Sequence, residues 1–230
     1  MRAFIYTGGW VNLQNITEHP KGDDITIAAD SGYNTALALG EKVNILLGDF
    51  DSLGEPKADK GTEIVRVPAE KDFTDTQLAV QYAIDRGADE ICIIGGLDGR
   101  LDHTLSNLAI LRELAQKNIH AHITNGQNRV RYIISTSTLI ARSQYKYLSL
   151  IADSEKVKGV SIEGCKYPLK NASLTKSYQY AVSNEITGNC ALISVRKGNL
   201  YIIETTDQVA IGQVEQSMSV EANWLPVTFP

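Results

Sequence analysis

Over the first 130 or so residues, short apolar runs alternate with stretches of helical period, and this alternation restricts the possible folds more than any other feature. The runs occupy residues 3–6, 25–29, 44–47, 62–67, 90–94 and 121–124. Several are unbroken. A strand with one wet face alternates apolar and polar residues, whereas a strand buried on both faces does not, so these runs suit a parallel sheet. Between them, residues 33–39, 75–86 and 102–117 read as helices. In the last, Leu101, Leu105, Leu108, Leu111 and Ala115 recur at three- and four-residue steps and predict an apolar stripe. Strand–helix alternation implies βαβ units, hence an α/β domain with a mostly parallel sheet and helices on both faces.

Beyond about residue 135 the texture changes. Residues 145–151, 157–162, 191–195 and 200–204 are strand-like, and Lys197-Gly198-Asn199 between the last two reads as a hairpin turn. An antiparallel β-sandwich or small barrel is expected here. The Ser/Thr-rich stretch 135–138 divides the chain into an α/β domain (1–135) and a β-sandwich domain (136–206). Residues 207–230 form an extension without clear period.

Of the 230 residues, 43% are hydrophobic and 21% charged, enough apolar surface for a real core. The net charge of -5 excludes the basic surface that duplex nucleic acid requires, though not a local anion pocket. Cys92, Cys165 and Cys190 are odd in number and form no C-x-x-C pair, so neither zinc binding nor a disulfide framework is expected. Cys92, inside Ile91-Cys92-Ile93-Ile94, reads as a reduced core thiol. Neither a signal-peptide pattern nor an apolar stretch of about 18 residues is evident, which predicts a cytoplasmic protein with no membrane partner.

In an open α/β sheet, ligands bind beyond the carboxyl ends of the strands. Acidic and glycine-rich segments fall repeatedly at that place: Asp30-Ser31-Gly32, Gly48-Asp49-Phe50-Asp51-Ser52, Glu70-Lys71-Asp72-Phe73-Thr74-Asp75, and Gly95-Gly96-Leu97-Asp98-Gly99-Arg100-Leu101-Asp102-His103. Carboxylates crowded on one edge repel unless a cation neutralises them, and ligands that are all oxygen favour magnesium. In an extended segment Asp49 and Asp51, flanking Phe50, point the same way. Thr74 and Gln77 fit a capping box at a helix start. The Gly95, Gly96 and Gly99 segment resembles a phosphate-binding loop ahead of a helix N-terminus, and Arg100 suits forked hydrogen bonds to phosphate. It is neither G-x-G-x-x-G nor a Walker loop. His103 reads either as a general base or as a satisfied polar residue at a helix start.

Together and in order, these segments and Ser183-Asn184-Glu185 resemble the thiamine pyrophosphokinase family over residues 1 to about 206. The resemblance implies transfer of a pyrophosphoryl group from ATP to the hydroxyl of thiamine, with AMP as second product and Mg²⁺ as cofactor. It also implies a homodimer with thiamine at the subunit interface. By position, Asp49, Asp51 and Asp75 correspond to magnesium ligands. Asp30, Asp72 and Asp102 correspond to contacts with metal-bound nucleotide or thiamine, and either Asp72 or Asp102 is the candidate acceptor of the alcohol proton. Asp30, Ser31, Arg100 and the Gly95, Gly96 and Gly99 backbone correspond to the ATP site. Ser183 and Asn184 correspond to the thiamine site, and Tyr167 and Tyr178 read either as thiamine-stacking or as core aromatics.

Two other readings exist. Asp49-Phe50-Asp51 also resembles phosphatases that form a phosphoaspartate, but these carry Thr or Val where Leu53 stands, and the glycine-Arg-Asp-His segment has no place in them. A non-catalytic nucleotide- or thiamine-binding module would have lost a carboxylate, whereas every expected acidic position is filled.

Overall fold

The structure, a computed structural model, describes residues 1–50, 58–68 and 72–207. In chain order the strands are β1 (Arg2–Tyr6), β2 (Ile25–Ala29), β3 (Ile45–Gly48), β4 (Glu63–Arg66), β5 (Glu90–Ile94), β6 (His120–Thr124), β7 (Asn128–Ile134), β8 (Ser137–Ala141), β9 (Tyr147–Ala152), β10 (Lys156–Glu163), β11 (Leu169–Thr175), β12 (Cys190–Lys197) and β13 (Asn199–Thr205). The α-helices are α1 (Gly32–Ala38), α2 (Asp75–Asp85) and α3 (Leu101–Gln116), and Leu13–Asn15 form a short 3-10 helix.

The larger sheet has the order β4-β3-β2-β1-β5-β6-β7-β13-β9. Every pairing from β4 through β6 is parallel, and every pairing from β6 to β9 is antiparallel. The unbroken runs sort by alternate residues onto two buried faces, as expected. Ala3, Ile5, Ile27, Ile91 and Ile93 meet α2 and α3 on one face. Phe4, Tyr6, Ala28, Leu46, Cys92 and Ile94 face the other way, with Tyr33 and Ala36 of α1. Each such isoleucine contributes about 1.5–3 kcal/mol by leaving water.

After residue 135 the chain leaves this sheet at β8 and comes back to it twice, at β9 and at β13, which pairs with β7 along its whole length. The second sheet, β11-β10-β12-β8, packs over Leu148, Leu150, Leu200 and Ile202 to make the sandwich core. Arg112 of α3 ties the halves together. Its Nη2 donates to Asp153 Oδ1 at 3.0 Å, and Tyr132 Oη donates to Asp153 Oδ2 at 2.7 Å.

The expected stripe on α3 holds only in part. Ile110, Leu111 and Leu114 are buried, but Leu101 and Leu105 are 70% and 57% exposed. The first turns of α3 follow the carboxyl end of β5, and the buried residues of the helix begin at Asn107. The capping box on α2 forms as read: Thr74 Oγ1 accepts from Gln77 N at 3.2 Å, and Thr74 N donates to Gln77 Oε1 at 2.8 Å. Replacing Thr74 by Ala should destabilise the protein by about 1 kcal/mol in denaturant unfolding, whereas Thr74→Ser should leave the midpoint nearly unchanged.

Candidate active site

The strand order reverses at β1. The chain first adds β2, β3 and β4 on one side, then adds β5 on the other. Loops leaving β1 and β5 therefore part in opposite directions and open a crevice at their carboxyl ends, the usual ligand position in such sheets. A cleft of about 440 Å³ lies there. Thr7, Gly8 and Gly9 line it after β1, and Asp30 and Ser31 after β2. Thr74, Asp75 and Thr76 come from the start of α2. Gly96, Asp98, Gly99 and Arg100 follow β5, and His103 and Asn107 come from α3.

Hydrogen bonds between these segments fix the walls. Thr7 and Thr76 join hydroxyls at 2.9 Å in a buried contact, holding the first turn of α2 against the end of β1. Asn107, buried in α3, donates from Nδ2 to Gly96 O at 3.0 Å and holds the β5–α3 turn. Asp30 adopts a left-handed backbone (φ 48°), which a non-glycine residue keeps only when its surroundings enforce it.

Of the residues singled out in the sequence, the cleft gathers Asp30, Ser31, Thr74, Asp75, Gly96, Gly99, Arg100 and His103. Asp49 follows β3, one residue beyond Gly48, which packs against Asp30. Phe50 is left-handed (φ 58°) and buried, so the segment is not extended there, and the alternation argument that pointed Asp49 and Asp51 the same way does not apply. Asp51 itself lies outside the described residues, as do Ser52, Glu70 and Lys71. Asp72 is exposed and stands apart from the lining of the cleft.

Arg100 and Asp102 face one another. Arg100 Nε and Nη2 donate to Asp102 Oδ1 and Oδ2 at 3.1 and 2.6 Å, and His103 N also donates to Oδ1. The pairing with Arg100 holds the Asp102 carboxyl below its ordinary range and pushes the guanidinium above its own. Asp102 thus projects at the exposed helix start toward Arg100 rather than into the cleft. His103 is exposed at the cleft rim.

The glycine segment is corrected in one respect. Gly95 N donates to Thr124 O at 2.8 Å and Gly96 N to Gly8 O at 2.9 Å, so neither amide is turned toward a phosphate. These two glycines bring the β5 turn close to β1 instead.

The β-sandwich residues lie outside this cleft. Asn184 is buried and its side chain is committed to the backbone. Oδ1 accepts from Tyr167 N and Glu185 N, both at 2.9 Å, and Nδ2 donates to Tyr167 O at 2.8 Å. It clamps the turn at Tyr167 through the backbone. Ser183, next to it, is exposed and left-handed (φ 56°). Tyr167 and Tyr178 are 59% and 69% exposed, which rules out the core reading of both.

Several cleft residues were not singled out in the sequence: Thr7, Gly8, Gly9, Thr76, Asp98 and Asn107. Two signals were available. Thr7-Gly8-Gly9 follows the apolar run 3–6 directly, and Asn107 stands four residues before Leu111, on the same face of α3.

The donor set suits a hard cation. Asp30, Asp75 and Asp98 bring carboxylate oxygens to the same cleft as Arg100, with no thiol among the lining residues. No helix among the described residues is long and apolar enough to cross a membrane.

Comparison with known proteins adds the identity of the fold. Residues 17–123 match the thiamin pyrophosphokinase catalytic domain, and residues 136–200 match the thiamin pyrophosphokinase vitamin B1 binding domain. Thiamine pyrophosphokinase of Bacillus subtilis (strain 168) is 32% identical over 209 residues, covering 88% of this chain and 98% of that protein. The crystal structure of the thiamine pyrophosphokinase from Bacillus subtilis superposes with a TM-score of 0.82 at 29% identity, over 90% of this chain and 100% of the other. That of the thiamin pyrophosphokinase from Geobacillus thermodenitrificans gives 0.78 at 28% identity, over 91% and 99%. With both halves matched in order and a relative aligned nearly end to end, the chain belongs to the thiamin pyrophosphokinase family.

Proposed function

We propose that this protein transfers the pyrophosphoryl group of ATP to the hydroxyl of thiamine, with Mg²⁺, in the cleft at the β1/β5 switch point. The observation that carries the placement is the meeting there of Asp30, Asp75 and Asp98 with Arg100. Family membership carries the reaction and its substrates, ATP and thiamine.

The chemistry asks for an alcohol to attack the β-phosphorus of ATP while AMP leaves, a step that depends on positioning and charge neutralisation. Asp30, Asp75 and Asp98 are the described residues that would hold magnesium, with Asp49 beside them. Bound there, the ion offsets charge on the phosphate oxygens. Arg100 turns from Asp102 to the phosphates, exchanging one forked carboxylate contact for a forked phosphate contact. That exchange releases Asp102 from Arg100 while His103 N still donates to it, and either Asp102 or Asp72, both exposed and outside the cleft lining, accepts the alcohol proton. Gly99 gives the backbone room beside the phosphates. The protein works in the cytoplasm on this reading.

Ser183 and the exposed Tyr167 and Tyr178 lie on the β-sandwich, away from the cleft of the same chain. A homodimer that sets this surface of one subunit against the cleft of the other supplies the thiamine wall, with Asn184 holding the Tyr167 turn in shape.

Incubation with ATP, Mg²⁺ and thiamine should yield AMP and thiamine diphosphate by mass. Release of inorganic phosphate without thiamine diphosphate would overturn the reading. Arg100→Lys should lower kcat/KM for ATP by about 10²-fold, since an ammonium cannot reproduce the fork. A loss confined to thiamine binding would assign Arg100 to the other substrate.

The dimer is tested by mixing. Asp75→Asn and Asn184→Ala chains, each inactive but folded and dimeric, should recover about half of wild-type activity when co-purified as a mixed dimer. One of its sites then holds both changes and the other neither. No recovery would mean that each site is built within one chain.

A further inference from the structure

Away from the cleft, the sheet face opposite α2 and α3 carries a polar cluster between two apolar cores. Cys92 of β5 stands beside His122 of β6, and His122 beside Arg131 of β7. Arg129 of β7 stands opposite Glu204 of β13. Glu18, from the connection between β1 and β2, reaches over them.

His122 Nε2 lies 3.3 Å from Cys92 Sγ and 3.3 Å from Glu18 Oε1. The three atoms lie within 4.8 Å of one another. Four-coordinate zinc holds sulfur at about 2.3 Å and nitrogen or oxygen at about 2.0–2.2 Å, which sets neighbouring ligand atoms roughly 3.5 Å apart. The spacing around His122 already approaches that edge. From this geometry we infer that Glu18, Cys92 and His122 form a zinc site with three protein ligands, separate from the magnesium cleft, that straps the β1–β2 connection to β5 and β6.

Donor chemistry and charge agree with the spacing. A thiolate and an imidazole select a soft or borderline ion, whereas the oxygen ligands of the cleft select magnesium. Zinc with one thiolate, one carboxylate and one neutral imidazole makes a set of zero net charge, the form least costly to bury. Binding breaks the Cys92 S–H bond, releases one proton to solvent and forms the Zn–S bond, with no change of oxidation state. His122 binds through Nε2 and keeps its proton on Nδ1.

The neighbouring cations keep partners when Glu18 turns to the metal. Arg2 Nη2 stays 3.0 Å from Asp24. Arg131 stays on Glu204, and Arg129, which shares Glu18 Oε1 at 3.3 Å, also has Glu204 at 3.9 Å and its guanidinium over the Tyr145 ring. Cys92 and His122 are buried, while the Glu18 side chain is 30% exposed, giving zinc an entry path and water the fourth position.

The test uses the full chain, stripped with a chelator and dialysed against zinc in excess Mg²⁺, so that oxygen-ligand sites are already filled. Wild type and Cys190→Ser should each retain one equivalent of zinc and gain in Tm. Cobalt in place of zinc should give a thiolate-to-metal charge-transfer band in both. Cys92→Ser should lose the band, and Cys92→Ser and Glu18→Gln should each weaken zinc binding by at least about tenfold. If Cys92→Ser fails to fold, Glu18→Gln decides, since it alters a half-exposed side chain on a connection. Absence of stoichiometric zinc in folded wild type, or undiminished binding in Glu18→Gln, overturns the inference.

Discussion

At the carboxyl end of β1, neighbouring backbones approach so closely that only glycine fits. A Cβ on Gly32, at the start of α1, would sit 2.1 Å from Tyr6 O, and one on Gly95, after β5, would sit 2.4 Å from Thr7 O. Neither separation is available to a larger residue, and the atoms met are backbone that cannot swing away. The β2–α1 turn and the β5–α3 turn are thereby pressed against the same strand end. The Thr7–Thr76 hydroxyl contact draws in the start of α2 as a further wall. Asp30, Asp75 and Arg100 reach one cleft because their backbones have no freedom to diverge. A site that positions phosphate oxygens depends on such rigidity more than on any single side chain.

The same strand end sends out the connection that couples the cleft to the rest of the sheet. Its first residues, Gly8 and Gly9, line the cleft, and Glu18 further along docks on the polar cluster around His122. That cluster sits where the face covered by α1 gives way to the face covered by the second sheet. Glu204, 2% exposed, is stabilised there by Arg131 and Arg129, since an unpaired buried carboxylate would cost several kcal/mol. One sheet therefore serves both halves, and its polar seam fixes their register.

The parallel half was legible in the sequence because strands buried on both faces leave unbroken apolar runs, as at 90–94, and because Thr74-Asp75-Thr76-Gln77 writes its own cap. The antiparallel half was less legible for equally physical reasons. β11 carries Lys170, Asn171 and Ser173 with Asn171 left-handed, so neither propensity nor period marks it. β7 hides because Asn128, Arg129 and Arg131 look like a polar loop, although Arg129 is buried by ion pairing. Within the site, the acidic loops announced the cleft, but which carboxylates enter it depended on left-handed turns at Asp30 and Phe50. Local pattern cannot reveal these in residues other than glycine. Gly95 and Gly96 were read as phosphate donors because the motif suggests it, and only the tertiary hydrogen bonds to Thr124 and Gly8 showed their amides taken. The Glu18–Cys92–His122 cluster was invisible for the opposite reason: its members lie far apart in the chain, and no spacing rule connects them.

The placement of the nucleotide at the β1 switch point is tested most directly by amide hydrogen exchange with and without a non-hydrolysable ATP analogue and Mg²⁺. Slowed exchange is expected in the segments around Thr7–Gly9, Asp30–Ser31, Thr74–Thr76 and Gly96–His103 alone, with the β-sandwich unchanged until thiamine is added. Protection centred on the sandwich, or on the far end of the sheet around His120 and Ser135, would contradict it.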